Sequence, residues 1–147
     1  MSESNQQHIE IIPADALLER VRQYRQQGWR FVQVSTTRLP DQVQLTYSFD
    51  KESRLENLRL SLPPVEARPA SISSIYWAAM LYENELQDLF NVRVEGMSID
   101  FGGKFYNMTV KHPSGTAAVP PVKAAAAPAA AKPAAASQPA TVAQAVP

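Results

Sequence analysis

Three carboxylates stand close together in the stretch Tyr82-Glu83-Asn84-Glu85-Leu86-Gln87-Asp88-Leu89-Phe90. Grouped carboxylates can bind a divalent cation or move a proton. On a helix, each residue turns by about 100°, so Glu83 and Glu85 point about 160° apart. Only Glu85 and Asp88, at i and i+3, share a side. Other ligating groups are scarce: the chain has two histidines, His8 and His112, and no cysteine. Disulfides, thiolate nucleophiles and all-cysteine iron–sulfur ligation are therefore excluded for this chain. His112, alone before Pro113, reads as a turn residue. Gly102-Gly103 lacks the spacing and the following helix of a phosphate loop. A carboxylate-based metal enzyme is the weaker reading of the acidic stretch. Polar anchoring to a partner's Arg or Lys is the stronger one. A solvated face is the plain alternative and suits Glu83 and Gln87 best.

The elements that carry these residues follow from periodicity. Pro13-Ala14-Asp15 opens a helix through Gln27, with Leu17, Leu18, Val21 and Tyr24 at helical spacing and Gly28 as its stop. Arg30 to Thr36 reads as a strand with Val32 and Val34 on one face and Phe31 on the other. After the turn at Leu39-Pro40-Asp41, Val43, Leu45, Tyr47 and Phe49 alternate with polar residues. Leu55, Leu58, Leu60 and Leu62 form the next strand, and Pro63-Pro64 ends it. A second helix, capped by Ser73 or Ser74, runs to Phe90. Gly102-Gly103 predicts a small hairpin within 99–110. The expected fold class is α+β, a two-layer domain. A three- to four-stranded, mainly antiparallel sheet packs against two helices.

On the second helix, Ile75, Ala79, Tyr82, Leu86, Leu89 and Phe90 form a stripe that can cover the sheet. Trp77, Met80 and Leu81 lie on the other side with Asn84 and Asp88. A second apolar face points to a partner surface, or to internal cover from the 99–110 hairpin or the 63–70 segment. The candidate interface is Trp77, Met80, Leu81, Glu83, Glu85, Asp88 and Phe90.

Fourteen basic residues balance fourteen acidic ones. No global field draws such a chain to nucleic acid or to an acidic membrane surface. No secretory signal and no run long enough to span a bilayer are visible, so the expected place is cytoplasmic, with any membrane association made through a partner. Composition shifts near Gly115: Thr116 to Pro147 holds 15 alanines and 6 prolines, two lysines and no acid. Such a segment cannot offset its ordering entropy by building a core. The expected organisation is one domain over 1–115 and a disordered tail over 116–147, serving as a tether or as a solvated end.

The order helix, strand with Val32-Gln33-Val34-Ser35-Thr36-Thr37, alternating strand, leucine-rich strand, Pro63-Pro64 and acidic helix resembles the 30 kDa subunit family of respiratory complex I. Related subunits occur in membrane-bound NiFe hydrogenases. The family's Glu-Arg-Glu-x-x-Asp-hydrophobic-Phe-Gly-Ile signature stands here as Glu83-Asn84-Glu85-Leu86-Gln87-Asp88-Leu89-Phe90-Asn91-Val92. Asn84 replaces the Arg and Asn91 the Gly. The His-Pro-Asp-Leu-Arg-Arg stretch that usually follows is replaced by Met97 to Tyr106. These departures look closer to the corresponding small subunit of Ech-type energy-converting hydrogenase.

The resemblance implies a non-catalytic structural subunit with no cofactor of its own. It would sit at the inner face of the cell membrane through its complex. Its implied partners are a hydrogenase large subunit bearing the NiFe centre, a small subunit carrying iron–sulfur clusters, a ferredoxin-like subunit and membrane subunits. That complex passes electrons from ferredoxin to protons and couples this to ion translocation. The alternatives are a 30 kDa-type subunit of an NADH:quinone oxidoreductase-like complex, or a free-standing adaptor.

Overall fold

The computed structural model describes residues 7–113. The expected tail, 116–147, lies outside the described residues. Four strands, β1 (Gln7–Ile11), β2 (Arg30–Arg38), β3 (Val43–Lys51) and β4 (Arg54–Leu62), form one sheet in the order β1-β4-β3-β2. The three long strands pair antiparallel, and β1 lies parallel to β4. Two helices, α1 (Leu17–Gln26) and α2 (Ala79–Phe90), complete the α+β domain.

Both helices cover the same face of the sheet. Phe31 and Phe49 are cross-strand partners. Tyr24 of α1 packs edge-on to Phe49, and Tyr82 of α2 packs edge-on to Phe31. The alternation read in β3 holds: Val43, Leu45, Tyr47 and Phe49 are all buried, beside Leu58, Leu60 and Leu62 of β4. These apolar positions recur every second residue, so one face is the core.

Gly28 ends α1 as expected. Its φ of 81° is left-handed, and Trp29 N–H donates to Tyr24 O at 2.9 Å. That six-to-one bond closes the last turn and is open to glycine at little steric cost. Asn91 ends α2 in the same way, at φ 55°. Asparagine is the other residue that tolerates this conformation, so Asn91 can stand where the family signature has glycine. Arg38 adds a cap from β2: its Nη2 donates to Phe90 O at 2.7 Å, satisfying an orphan carbonyl of the helix end.

Several expectations need correction. The first turn of the first helix is a 3-10 turn, Ala14–Ala16, with the α-helix proper starting at Leu17. In β2 the register shifts between Phe31 and Gln33. This bulge returns Phe31 and Val34 to the same buried face and leaves Val32 exposed. The second helix starts at Ala79, with Ala78 rather than a serine at its N-cap. Of the two serines expected as caps, Ser73 is bonded to Ser71 and Ser98, and Ser74 is exposed. Residues 72–79 form successive turns, such as Tyr76 N–H to Ile72 O and Ala79 N–H to Tyr76 O, both at 2.9 Å. No hairpin forms within 99–110: among the described residues this stretch has no strand and follows bends, including Lys104 N–H to Phe101 O. Strand β1 was missed because only Ile9 and Ile11 alternate there, and both stay exposed.

Candidate functional site

The acidic stretch of α2 faces two other segments of the same chain. Glu83 has no exposed surface. One of its oxygens accepts from Ser71 Oγ at 2.6 Å and the other from Ile72 N–H at 2.7 Å. Ser71 and Ser73 hydroxyls lie 2.7 Å apart, and Ser73 Oγ in turn meets Ser98 Oγ and accepts from Ser98 N–H, both at 3.0 Å. A parallel bridge between Ala70 and Glu95 closes the ring of contacts. Glu83 is thus the hub that holds the 71–73 turn to the helix. Burial pushes its carboxyl above the ordinary range, against the opposing pull of the hydrogen bonds from Ser71 and Ile72.

Tyr47 lies in the same interior. It has no exposed surface, and its hydroxyl has no hydrogen-bond partner among the described residues. Burial raises its pKa, and the Glu83 carboxylate raises it further. The phenol therefore stays protonated, a neutral group beside Glu83.

The next polar residues of α2 hold the segment 97–112, which runs over the helix as a strap. Asn84 is buried and bridges in both directions. Its Nδ2 donates to Met80 O at 2.8 Å and Ile99 O at 2.9 Å, and its Oδ1 accepts from Phe101 N–H at 2.9 Å. Gln87 Nε2 donates to Asp100 at 2.9 Å. Asp88, also buried, accepts from Tyr106 N–H at 2.6 Å, and its backbone carbonyl lies 3.1 Å from the His112 ring. In the irregular strap, backbone groups that lack a sheet partner find one on the helix.

The predicted site residues fall into three groups. Glu83 and Asp88, with the neighbouring Asn84, are internal fasteners. The solvated face expected for Glu83 is a buried one, and the Asp88 oxygen expected to turn toward a neighbouring chain turns to Tyr106. The signal for Glu83 was present: it stands four residues after Ala79 and three before Leu86, both buried, at the edge of the inward stripe. Trp77 and Leu81 form the second group, 61% and 49% exposed. Met80, Glu85 and Phe90 are half-buried. The strap covers the Asn84–Asp88 side of the second apolar face and leaves Trp77 and Leu81 uncovered. The three carboxylates do not converge. Among the described residues, no group of three or more His, Asp or Glu side chains is placed to hold a metal ion. No helix among them is long and apolar enough to cross a membrane.

Residues 11–99 match the family described as "Respiratory-chain NADH dehydrogenase, 30 Kd subunit". Among solved structures, the chain superposes on one from the membrane-bound sulfane sulfur reductase, an archaeal respiratory membrane complex. The TM-score is 0.66 and the identity 18%, over 77% of this chain and 70% of the other. It also superposes on a trypsin-resistant fragment of Nqo5, with a TM-score of 0.55 and 17% identity, over 62% of this chain and 80% of that one. At these identities the likeness is one of fold. No curated protein matches the chain.

Proposed function

The chain belongs to the family of 30 kDa subunits of the respiratory-chain NADH dehydrogenase, and from that premise we propose that it is a non-catalytic assembly subunit of an energy-converting NiFe hydrogenase. It docks beside the large subunit at the inner face of the membrane and holds no cofactor. The NiFe centre and iron–sulfur clusters reside in its partners, among them a cluster-bearing small subunit, a ferredoxin-like subunit and membrane subunits. The docking face is built from Trp77, Met80, Leu81 and Glu85, with Phe90 at its end.

One observation carries this reading. Glu83, Asn84 and Asp88 of the family-like motif are engaged in holding the fold together, while a large aromatic and a leucine beside them are left open. A set of carboxylates that performed chemistry would converge on accessible space. Glu83 and Asp88 instead accept hydrogen bonds from Ser71, Ile72 and Tyr106 in the interior. An exposed Trp and Leu on such a frame suit burial against another subunit. The hydrogenase assignment rests on the strap: Met97 to Tyr106 stands in place of the His-Pro-Asp-Leu-Arg-Arg stretch, and Asn84 in place of the signature's Arg.

A second reading, favoured by the family match itself, is a 30 kDa-type subunit of an NADH:quinone oxidoreductase-like complex. Affinity purification of the tagged full chain from solubilised native membranes, followed by mass spectrometry, separates the two. Co-purification of a large subunit with paired Cys-x-x-Cys motifs and of hydrogen-dependent activity supports the hydrogenase. A large subunit without those motifs, with NADH- or quinone-linked activity, supports the second reading. A chain recovered alone refutes both.

A further inference from the structure

A cleft of about 340 Å³ lies where the end of α1, the start of β2 and the turns before α2 meet. Its walls are Trp29, Phe31, Tyr76 and Trp77, and two arginines, Arg25 and Arg30, flank them. We infer that this aromatic–arginine cleft receives an acidic peptide segment of a partner subunit, with an apolar side chain against Trp77 and an adjacent carboxylate on Arg25. This deepens the docking reading of Trp77 and rests on it.

The cleft is rigid before any partner arrives. Tyr76 packs 5.9 Å from Phe31 and 5.6 Å from Phe49, between ring centroids, and so stands on the core. Its hydroxyl donates to Trp29 O at 2.7 Å, which fixes the corner between α1 and β2. Trp29 packs 5.4 Å from Tyr24. The one wall with large exposure is Trp77, 61% accessible and four residues ahead of Leu81, itself 49% accessible. An exposed aromatic on an ordered aromatic floor loses little conformational entropy when covered.

Charge selects the occupant. The lining holds two arginines and no acid. Arg30 is bound by Asp50, with two hydrogen bonds of 2.8 and 2.6 Å. Arg25 has no ion-pair partner among the described residues, although its guanidinium lies 5.4 Å from the centre of the Tyr76 ring. Stacked on the ring, it is pre-positioned for a carboxylate, which a guanidinium grips with paired N–H groups. A basic segment would meet the like charge of Arg25, whereas the charge of Arg30 is already answered by Asp50. The space is that of one or two large side chains, and its lining offers no cysteine, histidine or carboxylate to ligate a metal or cluster.

The test replaces Trp77 with photoreactive benzoylphenylalanine in the tagged full chain. The chain is purified with its native membrane complex, irradiated, and the crosslinked peptide sequenced. The expected peptide carries an Asp or Glu within two residues of an apolar crosslinked side chain. Beside it, Arg25→Glu is expected to lower co-purification about tenfold, and Arg25→Lys to restore part of it, as for a charge pair at an interface. The thermal midpoint of each purified variant checks that the fold is intact. A crosslinked peptide with no acid near the site, or Arg25→Glu co-purifying at the wild-type level, overturns this inference and leaves the assembly reading standing. A wild-type chain recovered alone overturns both.

Discussion

Replacing Glu83 separates its two physical roles. Its oxygens accept from two buried donors, Ser71 Oγ–H and Ile72 N–H. Glu83→Ala leaves Ile72 N–H without a partner and leaves the Ser71 hydroxyl only Ser73 Oγ to donate to. A buried donor left unsatisfied costs about 1–3 kcal/mol. Relief from holding a desolvation-strained carboxyl offsets part of this and the lost packing adds to it, so the expected loss is about 1–3 kcal/mol. In a domain of this size, each kcal/mol moves the thermal midpoint by about 4–8 °C, so the drop is roughly 4–24 °C. Glu83→Gln keeps an acceptor for Ile72 N–H, and its amide can donate to the Ser71 hydroxyl. It should lie within about 1 kcal/mol of wild type at neutral pH. The sign of the pH dependence follows from burial, which raises the carboxyl from its ordinary value of 4.5. The stability contributed by the neutral carboxyl is complete below that unfolded value and is lost as pH rises through the higher folded value. Glu83→Gln should therefore flatten the decline of stability above the ordinary carboxylate range. Urea unfolding of the three proteins across weakly acidic to alkaline pH measures all of this. Alanine at wild-type stability, or glutamine as damaging as alanine, would refute the hub.

Three further outcomes are expected. Tyr47→Phe removes a buried hydroxyl that has no partner among the described residues, so stability should be unchanged or rise by up to about 1 kcal/mol in urea unfolding; a fall of that size would reveal a missed acceptor. Asn84→Ala removes the links to Ile99 O and Phe101 N–H. Amide exchange at Phe101 should then speed up about tenfold or more while exchange in β3 is preserved; equal protection in both proteins would show that the strap is held by something else. Leu58→Ala, at a position with no exposed surface beneath the helices, should cost about 2–5 kcal/mol by thermal unfolding, and a change under about 1 kcal/mol would contradict the placement of the core.

The strands that alternate strongly were legible because one face must be buried and the side-chain period is two. Val43 to Phe49 and Leu58 to Leu62 are the case in point. The helix α1 was legible for the same reason at a period of 3.6, and Gly28 marked its end. What could not be read were features decided by tertiary partners. Ser73 and Ser74 resemble helix caps, but the helix starts at Ala79 and Ser73 is bonded to Ser71 and Ser98 instead. Gly102-Gly103 does make a turn, with Lys104 N–H donating to Phe101 O, yet no ladder continues from it, because Phe101 N–H and Tyr106 N–H bond to Asn84 and Asp88. The bulge that reverses Phe31 leaves no mark in composition. A carboxylate on an inward stripe is ordinarily read as misplaced, and only the donors facing Glu83 explain it. Glu83 and Asp88 are buried and bonded within the chain, while Trp77 and Leu81 are exposed.

The claim that this chain is an assembly subunit is tested most directly by depleting it. Native gel electrophoresis of membranes with and without the chain, stained for in-gel activity and probed for the tagged protein, compares the two states. The account predicts that the chain migrates only with a high-mass complex in replete membranes. On depletion, that complex and its activity should disappear together and return when the chain is restored. A complex that stays intact and active without the chain would contradict it.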